Sequence, residues 1–225
     1  MCPGAFFMPG SLAEWDAKHR AAEKAAAPDS ASIVSELLPL LPLGPALDVA
    51  CGTGRHTLLL ASRGQAVTAV DGSNVALEIL ERRARLAKYS INRVDEDPPS
   101  HTKGGAPTRD KRRRVTATQK GIQLVHADLE QVRLLAASFS VILCVNYLQR
   151  SLFRQMEDAL EPGGVLLFET YTRTQLEFEG GPRNPEYLLR SGELRTAFPG
   201  LEILFYRELR AGKGIASLLA RKPAA

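Results

Sequence analysis

Two isolated acids, Asp48 and Asp71, each end a short apolar run, and between them lies a glycine turn, Ala50-Cys51-Gly52-Thr53-Gly54. The run Pro45 to Ala50 enters the turn, and Arg55 to Arg63 leaves it with the pattern of a helix. The next run, Ala66 to Val70, stops at Asp71. A strand, a glycine turn and a helix, with an acid about twenty residues further on, is the layout that holds a nucleotide ribose in a doubly wound sheet. A dinucleotide turn needs a third glycine and sets a pyrophosphate on the helix N-terminus. Here the third place is Thr57, and Asp48 stands just before the turn. A carboxylate there repels a pyrophosphate and favours a ligand carrying an ammonium or a sulfonium group.

S-adenosylmethionine carries both cations, has no phosphate, and offers ribose hydroxyls to Asp71. The motifs agree with that ligand. Asp48-Val49-Ala50-Cys51-Gly52-Thr53-Gly54 resembles the first motif of the class I S-adenosylmethionine-dependent methyltransferases, and Ala69-Val70-Asp71-Gly72-Ser73 resembles their second. His126-Ala127-Asp128-Leu129 is similar to the third, and Leu160 to Leu166 is similar to the run into the fifth strand. The family's first glycine place holds Ala50. Asn146-Tyr147-Leu148 and Glu169-Thr170-Tyr171 further resemble the tellurite-resistance-type branch. The resemblance implies a cofactor site made by Asp48, Ala50, Cys51, Gly52, Gly54, Asp71, Gly72, Asp128, Leu129 and Asn146. Asp128 would face the adenine amino group and Leu129 the adenine ring. It also implies S-adenosylmethionine-dependent methyl transfer, with a small-molecule acceptor favoured and a soft nucleophile such as a thiol or chalcogen species first among these.

Candidates for the chemical step gather where a fourth strand should end, because ligands of open α/β sheets sit beyond the strand carboxyl ends. Asn146 and Tyr147 would face the transferred group, and Arg150 could hold an anionic acceptor or simply pair with Glu157 or Glu169. His56, just inside the helix after the turn, is the candidate base for an oxygen acceptor, or else a packing residue. Asp71 and Asp128 could also serve as helix caps, with Ser73 the better N-cap than Asp71. Trp15 and Arg20 could close one side of the site, and Arg183 to Tyr187 the other.

Two other readings use different residues. The cluster Arg109 to Arg114 could guide an RNA methyltransferase through phosphate contacts, but no aromatic residue interleaves it for base stacking. A nicotinamide-dependent oxidoreductase needs the third glycine and tolerates Asp48 poorly. No Cys/His spacing points to a metal site, and Cys2, Cys51 and Cys144 form no disulfide pattern. No apolar run approaches the ~18 residues of a membrane span. The start, Met1 to Pro9, lacks a basic segment and is broken by Pro3 and Pro9, so a cytoplasmic protein with no membrane partner is expected.

The elements follow from composition and period. The chain has 225 residues, 44% of them hydrophobic, and a formal net charge of +4. All of that excess sits between Ser90 and Gly121, which hold eight Lys/Arg and four acids. The segment 90–120 also contains Pro98-Pro99, Gly104-Gly105 and few apolar residues, so it is expected to be a disordered basic insertion. Helical spacing places N-terminal helices within 11–41, with a break and cap at Pro28-Asp29-Ser30. Strands alternate with helices up to Glu169. Leu201 to Tyr206 and Ile215 to Ala220 are joined too closely for a parallel crossover, so they should form an antiparallel hairpin. The expected fold is α/β, one domain over 1–225, Rossmann-like and doubly wound. The resemblance implies a mostly parallel seven-stranded sheet in the order 3-2-1-4-5-7-6 with the last strand antiparallel.

Overall fold

The computed structural model describes residues 12–24, 33–94 and 112–224. The expected break at Pro28 to Ser30 and the middle of the basic insertion lie outside those residues. In chain order the elements are α1 (Leu12–Lys24), α2 (Ile33–Leu37), β1 (Ala46–Val49), α3 (Arg55–Ser62), β2 (Val67–Asp71), α4 (Asn74–Leu86), β3 (Ile91–Val94), β4 (Arg113–Val115), β5 (Ile122–His126), β6 (Val132–Leu134), β7 (Phe139–Val145), α5 (Phe153–Ala159), β8 (Leu160–Tyr171), α6 (Glu193–Thr196), β9 (Glu202–Leu209) and β10 (Ile215–Arg221).

One sheet of eight strands runs β3-β5-β2-β1-β7-β8-β10-β9. Seven of these are the expected strands in the expected order. The pairings from β3 across to β8 are parallel, and β10 runs antiparallel to both β8 and β9. β3 is an eighth strand added at the edge.

The two faces of the sheet separate by the strand period of two. Leu47, Val49, Val70, Val125, Ile142, Phe168 and Leu218 face a core closed by α5, α6 and the β4–β6 ladder. Three phenylalanines, Phe153, Phe168 and Phe198, meet there with ring centroids 5.0 to 5.9 Å apart. Ala46, Val67, Ala69, Leu124, Val141, Leu167 and Leu219 face the other core with Ile33, Leu60, Leu77 and Leu80 from α2, α3 and α4. Asp48 is two residues after Ala46, and Asp71 is two after Ala69. The alternation therefore turns both acids to the α3–α4 side at the carboxyl end of the sheet.

The expectation of a disordered 90–120 segment is corrected at both ends. Ile91 to Val94 pair in parallel with Ile122 to Val125, and Arg113 to Val115 pair with Val132 to Leu134. Val115 is fully buried, and Thr68 Oγ1 on β2 donates to Thr116 O and accepts from Thr118 N. Elements of three or four residues carry too little periodicity to be read locally; tertiary contacts hold them. Among the described residues, no helix is long and apolar enough to cross a membrane.

Candidate active site

The glycine turn is an αL-rich bend whose backbone determines its residues. Gly52 and Gly54 have φ of 53° and 81°. A Cβ on Gly54 would stand 2.0 Å from Leu80 Cδ1, so this position needs glycine for both its dihedral and its packing against α4. Ala50, in the family's first glycine place, is also left-handed at φ 54°. The turn is tied to its surroundings. Cys51 N donates to Val70 O at 3.1 Å, and Arg83 Nη1 of α4 donates to Thr53 O and Oγ1 at 3.1 and 3.0 Å.

Asp71 joins this turn to the next one. Its Oδ2 accepts from Gly52 N at 2.7 Å and its Oδ1 from Ser73 N at 2.8 Å. Burial pushes its carboxyl above the usual carboxylate range, while the Ser73 and Gly52 amides, His19 and His126 hold it down. A carboxylate has about four acceptor sites, so two remain for vicinal hydroxyls. Ser73 takes the N-cap of α4, its Oγ accepting from Ala76 N at 3.1 Å. His126 Nε2 lies 3.1 Å from Gly72 O, fixing the start of the same turn.

Asp48 is only 2% exposed, and Thr57 Oγ1 donates to its Oδ2 at 2.6 Å. The threonine in the third glycine place is thus the partner of the first acid. Burial raises the Asp48 carboxyl to about 7; hydrogen bonding from Thr57 opposes the rise, the charge of Asp71 adds to it, and Arg55 lowers it. Cys51 is pushed well up by burial and by both acids, so its thiol stays protonated. Burial raises Cys144 as well, which removes it as a nucleophile.

The sequence reading missed two contributors. Thr57 is one. The other is His19 of α1, which lies near Gly52: a Cβ built there would come 3.5 Å from His19 Cε1. His19 stacks on Trp15 with ring centroids 5.8 Å apart, and Ser73 Oγ donates to Asp16 Oδ1 at 2.5 Å. Helix α1 thus lies against the loops after β1 and β2. Helical spacing puts Leu12, Trp15 and His19 on one side of α1, but only the folded chain brings His19 to Gly52.

At the β5 exit, Asp128 caps a short 3-10 turn, its Oδ1 accepting from Glu130 N at 2.9 Å, and Leu129 is buried. At the β7 exit, Asn146 is exposed and left-handed at φ 60°, with its N–H donated to Glu169 O at 2.7 Å. Asparagine is among the residues that tolerate αL, and such backbone concentrates at functional rims. Tyr147 Oη donates to Gln149 Oε1, and Gln149 Nε2 donates to Leu129 O at 3.2 Å, which links the β7 and β5 exits.

Two candidates are corrected. Arg150 does not present itself to an acceptor. Its Nε and Nη2 hold both carboxylate oxygens of Glu193 at 2.6 and 3.0 Å, and its Nη groups also donate to Glu186 O and Leu188 O. Its partner is neither Glu157 nor Glu169; Glu157 pairs with Arg154, and Glu169 accepts from Ser217 Oγ. His56 is not placed as a base. Arg55 lies against its Nε2 at 3.0 to 3.2 Å, and burial with that charge lowers it to about 4.

Comparison with known proteins agrees with this geometry. Residues 46–102 match the family model described as Methyltransferase domain. No curated protein matches the sequence. Among solved structures, TehB from Haemophilus influenzae is similar at 18% identity and a TM-score of 0.64, over 89% of this chain and 65% of that longer one. This chain therefore spans just under two thirds of that protein. An S-adenosylmethionine-dependent methyltransferase from Mesorhizobium loti is similar at 19% identity and 0.60, over 86% of this chain and 99% of that one. The [4+2]-cyclase SpnF is similar at 17% and 0.63, over 99% of both. Residues 46–102 hold the glycine turn, Asp48 and Asp71, and the sheet around them has the order the motifs imply. Residues 46–102 are thus similar to a methyltransferase domain, and the chain as a whole has the Rossmann-like fold that these solved structures share.

Proposed function

We propose that the protein is an S-adenosylmethionine-dependent methyltransferase acting on a small-molecule acceptor with a soft nucleophilic atom. The observation that carries this reading is the acid pair: Asp48 buried beneath the glycine turn, Asp71 bridging that turn to the next, both on one face of adjacent strands. The donor set fits the cofactor. Asp48 is enclosed with a neutral hydroxyl as its hydrogen-bond partner, which is the setting of a carboxylate meant for a ligand cation. Asp71 keeps acceptor capacity for ribose hydroxyls, and Asp128 and Leu129 at the β5 exit are the candidates to hold adenine. S-adenosylmethionine supplies an electrophilic methyl group on a sulfonium.

The chain's own work is then positional and electrostatic. The turn's backbone and the two acids orient the cofactor's polar ends. Asn146 and Tyr147 border the acceptor side, and the Arg150 clamp fixes residues 186 to 193 beside it. Among the described residues, the candidates for a base there are weak. His56 is depressed and engaged, and the Tyr147 and Tyr171 phenols are raised by burial. A thiolate, selenide or telluride bonds to the methyl carbon through its own electron pair as the carbon–sulfur bond breaks to leave a neutral thioether, with little base assistance; an alcohol must also give up its proton to a base. That difference favours the soft acceptor. The nearness of a methyltransferase and a cyclase in fold makes turnover, and not shape, the deciding observation.

Calorimetric titration with S-adenosylmethionine, with reduced nicotinamide dinucleotide as control, tests the cofactor, and transfer of its methyl group to a thiol in a turnover assay tests the activity. Micromolar binding of S-adenosylmethionine alone is expected. Binding of the dinucleotide in its place would overturn the reading. One observation favours the RNA alternative: Arg112, Arg114 and Arg133 line a groove of about 730 Å³ between the β4–β6 ladder and α5. A salt-sensitive RNA shift that is lost in the double variant Arg114→Glu, Arg133→Glu would move the acceptor from small molecule to RNA.

A further inference from the structure

We propose that Thr57 is a positioning residue of the cofactor site, whose hydroxyl fixes the Asp48 carboxylate and sets the pH range over which the cofactor displaces a proton from it. This rests on the S-adenosylmethionine reading above. Thr57 lies on the first turn of α3, whose N-cap is Gly54, and is itself fully buried. Its Oγ1 donates to Asp48 Oδ2 at 2.6 Å, within the range of a charge-assisted bond. A donor of this kind favours the ionised form of the acid.

The groups around Asp48 oppose one another. Asp71 on β2 adds a second negative charge, and burial disfavours ionisation. Arg55 on α3 opposes both. Cys51 in the turn and Cys144 on β7 both feel the Asp48 charge and stay protonated. From α1, the charge interaction of His19 is with Asp71. The result is a carboxyl raised to about 7 in the free protein. A cationic ligand placed against it drives the proton out. Thr57 is the neutral donor that keeps this exchange in the physiological range; a valine of the same shape would not.

The test is calorimetric titration with S-adenosylmethionine between pH 5.5 and 7.5, in two buffers of different ionisation enthalpy at each pH, which counts protons released. For the unmodified protein, affinity should rise about tenfold per pH unit at the acid end and level off near neutrality, with close to one proton released at pH 5.5. Thr57→Val should move this profile to higher pH, losing about tenfold in affinity at pH 6 for each unit moved, and Thr57→Ser should restore it. Asp48→Asn should bind more weakly and release no proton. A valine variant with the unmodified profile would overturn the role of Thr57 while leaving the cofactor reading intact. Undiminished proton release in Asp48→Asn would overturn the role of Asp48, and it decides the matter even if the valine variant does not fold. Absence of binding heat at every pH in the unmodified protein would overturn the cofactor reading and the proposal together.

Discussion

Asp71 has two functions that a single substitution does not separate. Its carboxylate accepts the Gly52 and Ser73 amides and, on the reading above, two ribose hydroxyls. Removing the acceptor leaves buried N–H groups unpaired at about 1–3 kcal/mol, so Asp71→Ala should lower stability as well as cofactor affinity. Asp71→Asn keeps one acceptor oxygen but turns its NH2 onto the other backbone amide. It should melt between the alanine variant and the unmodified protein while still losing at least tenfold in affinity for S-adenosylmethionine. Thermal unfolding alongside calorimetry distinguishes the two effects, and an asparagine variant with unchanged affinity would remove Asp71 from the cofactor site. Ala50 makes the opposite case. It sits at φ 54°, a conformation that costs a residue with a Cβ about 1–2 kcal/mol, whereas glycine adopts it freely at a penalty of about 0.4–1 kcal/mol in the unfolded chain. Ala50→Gly should therefore be neutral to about 1 kcal/mol stabilising. A loss of stability there would mean the alanine methyl is packed to advantage.

At the scale of elements, Arg150 changed its role between sequence and structure. The sequence shows a cation just beyond a rim strand, which reads equally as ligand or clamp. Only the folded chain brings Glu193, Glu186 and Leu188 to it, from about forty residues away. The pair is partly solvated, so its contribution to global stability is modest, about 1 kcal/mol. Its effect is local. Arg150→Ala should leave the melting temperature within a few degrees and cofactor affinity unchanged, while hydrogen exchange quickens across residues 185 to 194. Global unfolding in place of local loosening would show that the core closed by α6 depends on the Arg150 clamp. The same distinction decides what was legible. Strands with period-two patterns, the β9–β10 hairpin, the Ser73 cap and the acids at strand ends were readable because each is encoded within a few residues. β3, β4 and the Thr57–Asp48 bond were not, because each depends on a partner in another element. His56 stayed open between base and packing residue for a related reason: its neighbour Arg55 was visible, but not that the guanidinium would turn onto its ring.

For the whole molecule, the buried acid is a stability cost that the cofactor reverses. Asp48 titrates near 7 in the fold against an ordinary value of 3.8, so the folded chain binds more protons than the unfolded one between those values. Stability should accordingly fall as pH rises from about 4 to about 7 and stay lowered above that. At about 1.4 kcal/mol per unit, the penalty at pH 8 is on the order of 4 kcal/mol. An amide in the same place carries no charge but leaves a buried donor short of partners, at about 1–3 kcal/mol. Asp48→Asn should thus be more stable than the unmodified protein at pH 8 by about 1–3 kcal/mol, a rise of several degrees in a chain of this size. At pH 5 most of that gain should vanish. Saturating S-adenosylmethionine should invert the order at pH 8, because ligand at a hundred times its dissociation constant adds about 2.7 kcal/mol to whichever variant binds it well. Melting curves at the two pH values, with and without cofactor, therefore form a closed set. If the amide variant remains the more stable with cofactor present, the carboxylate at 48 does not meet the ligand's cation, and its burial has some purpose other than binding.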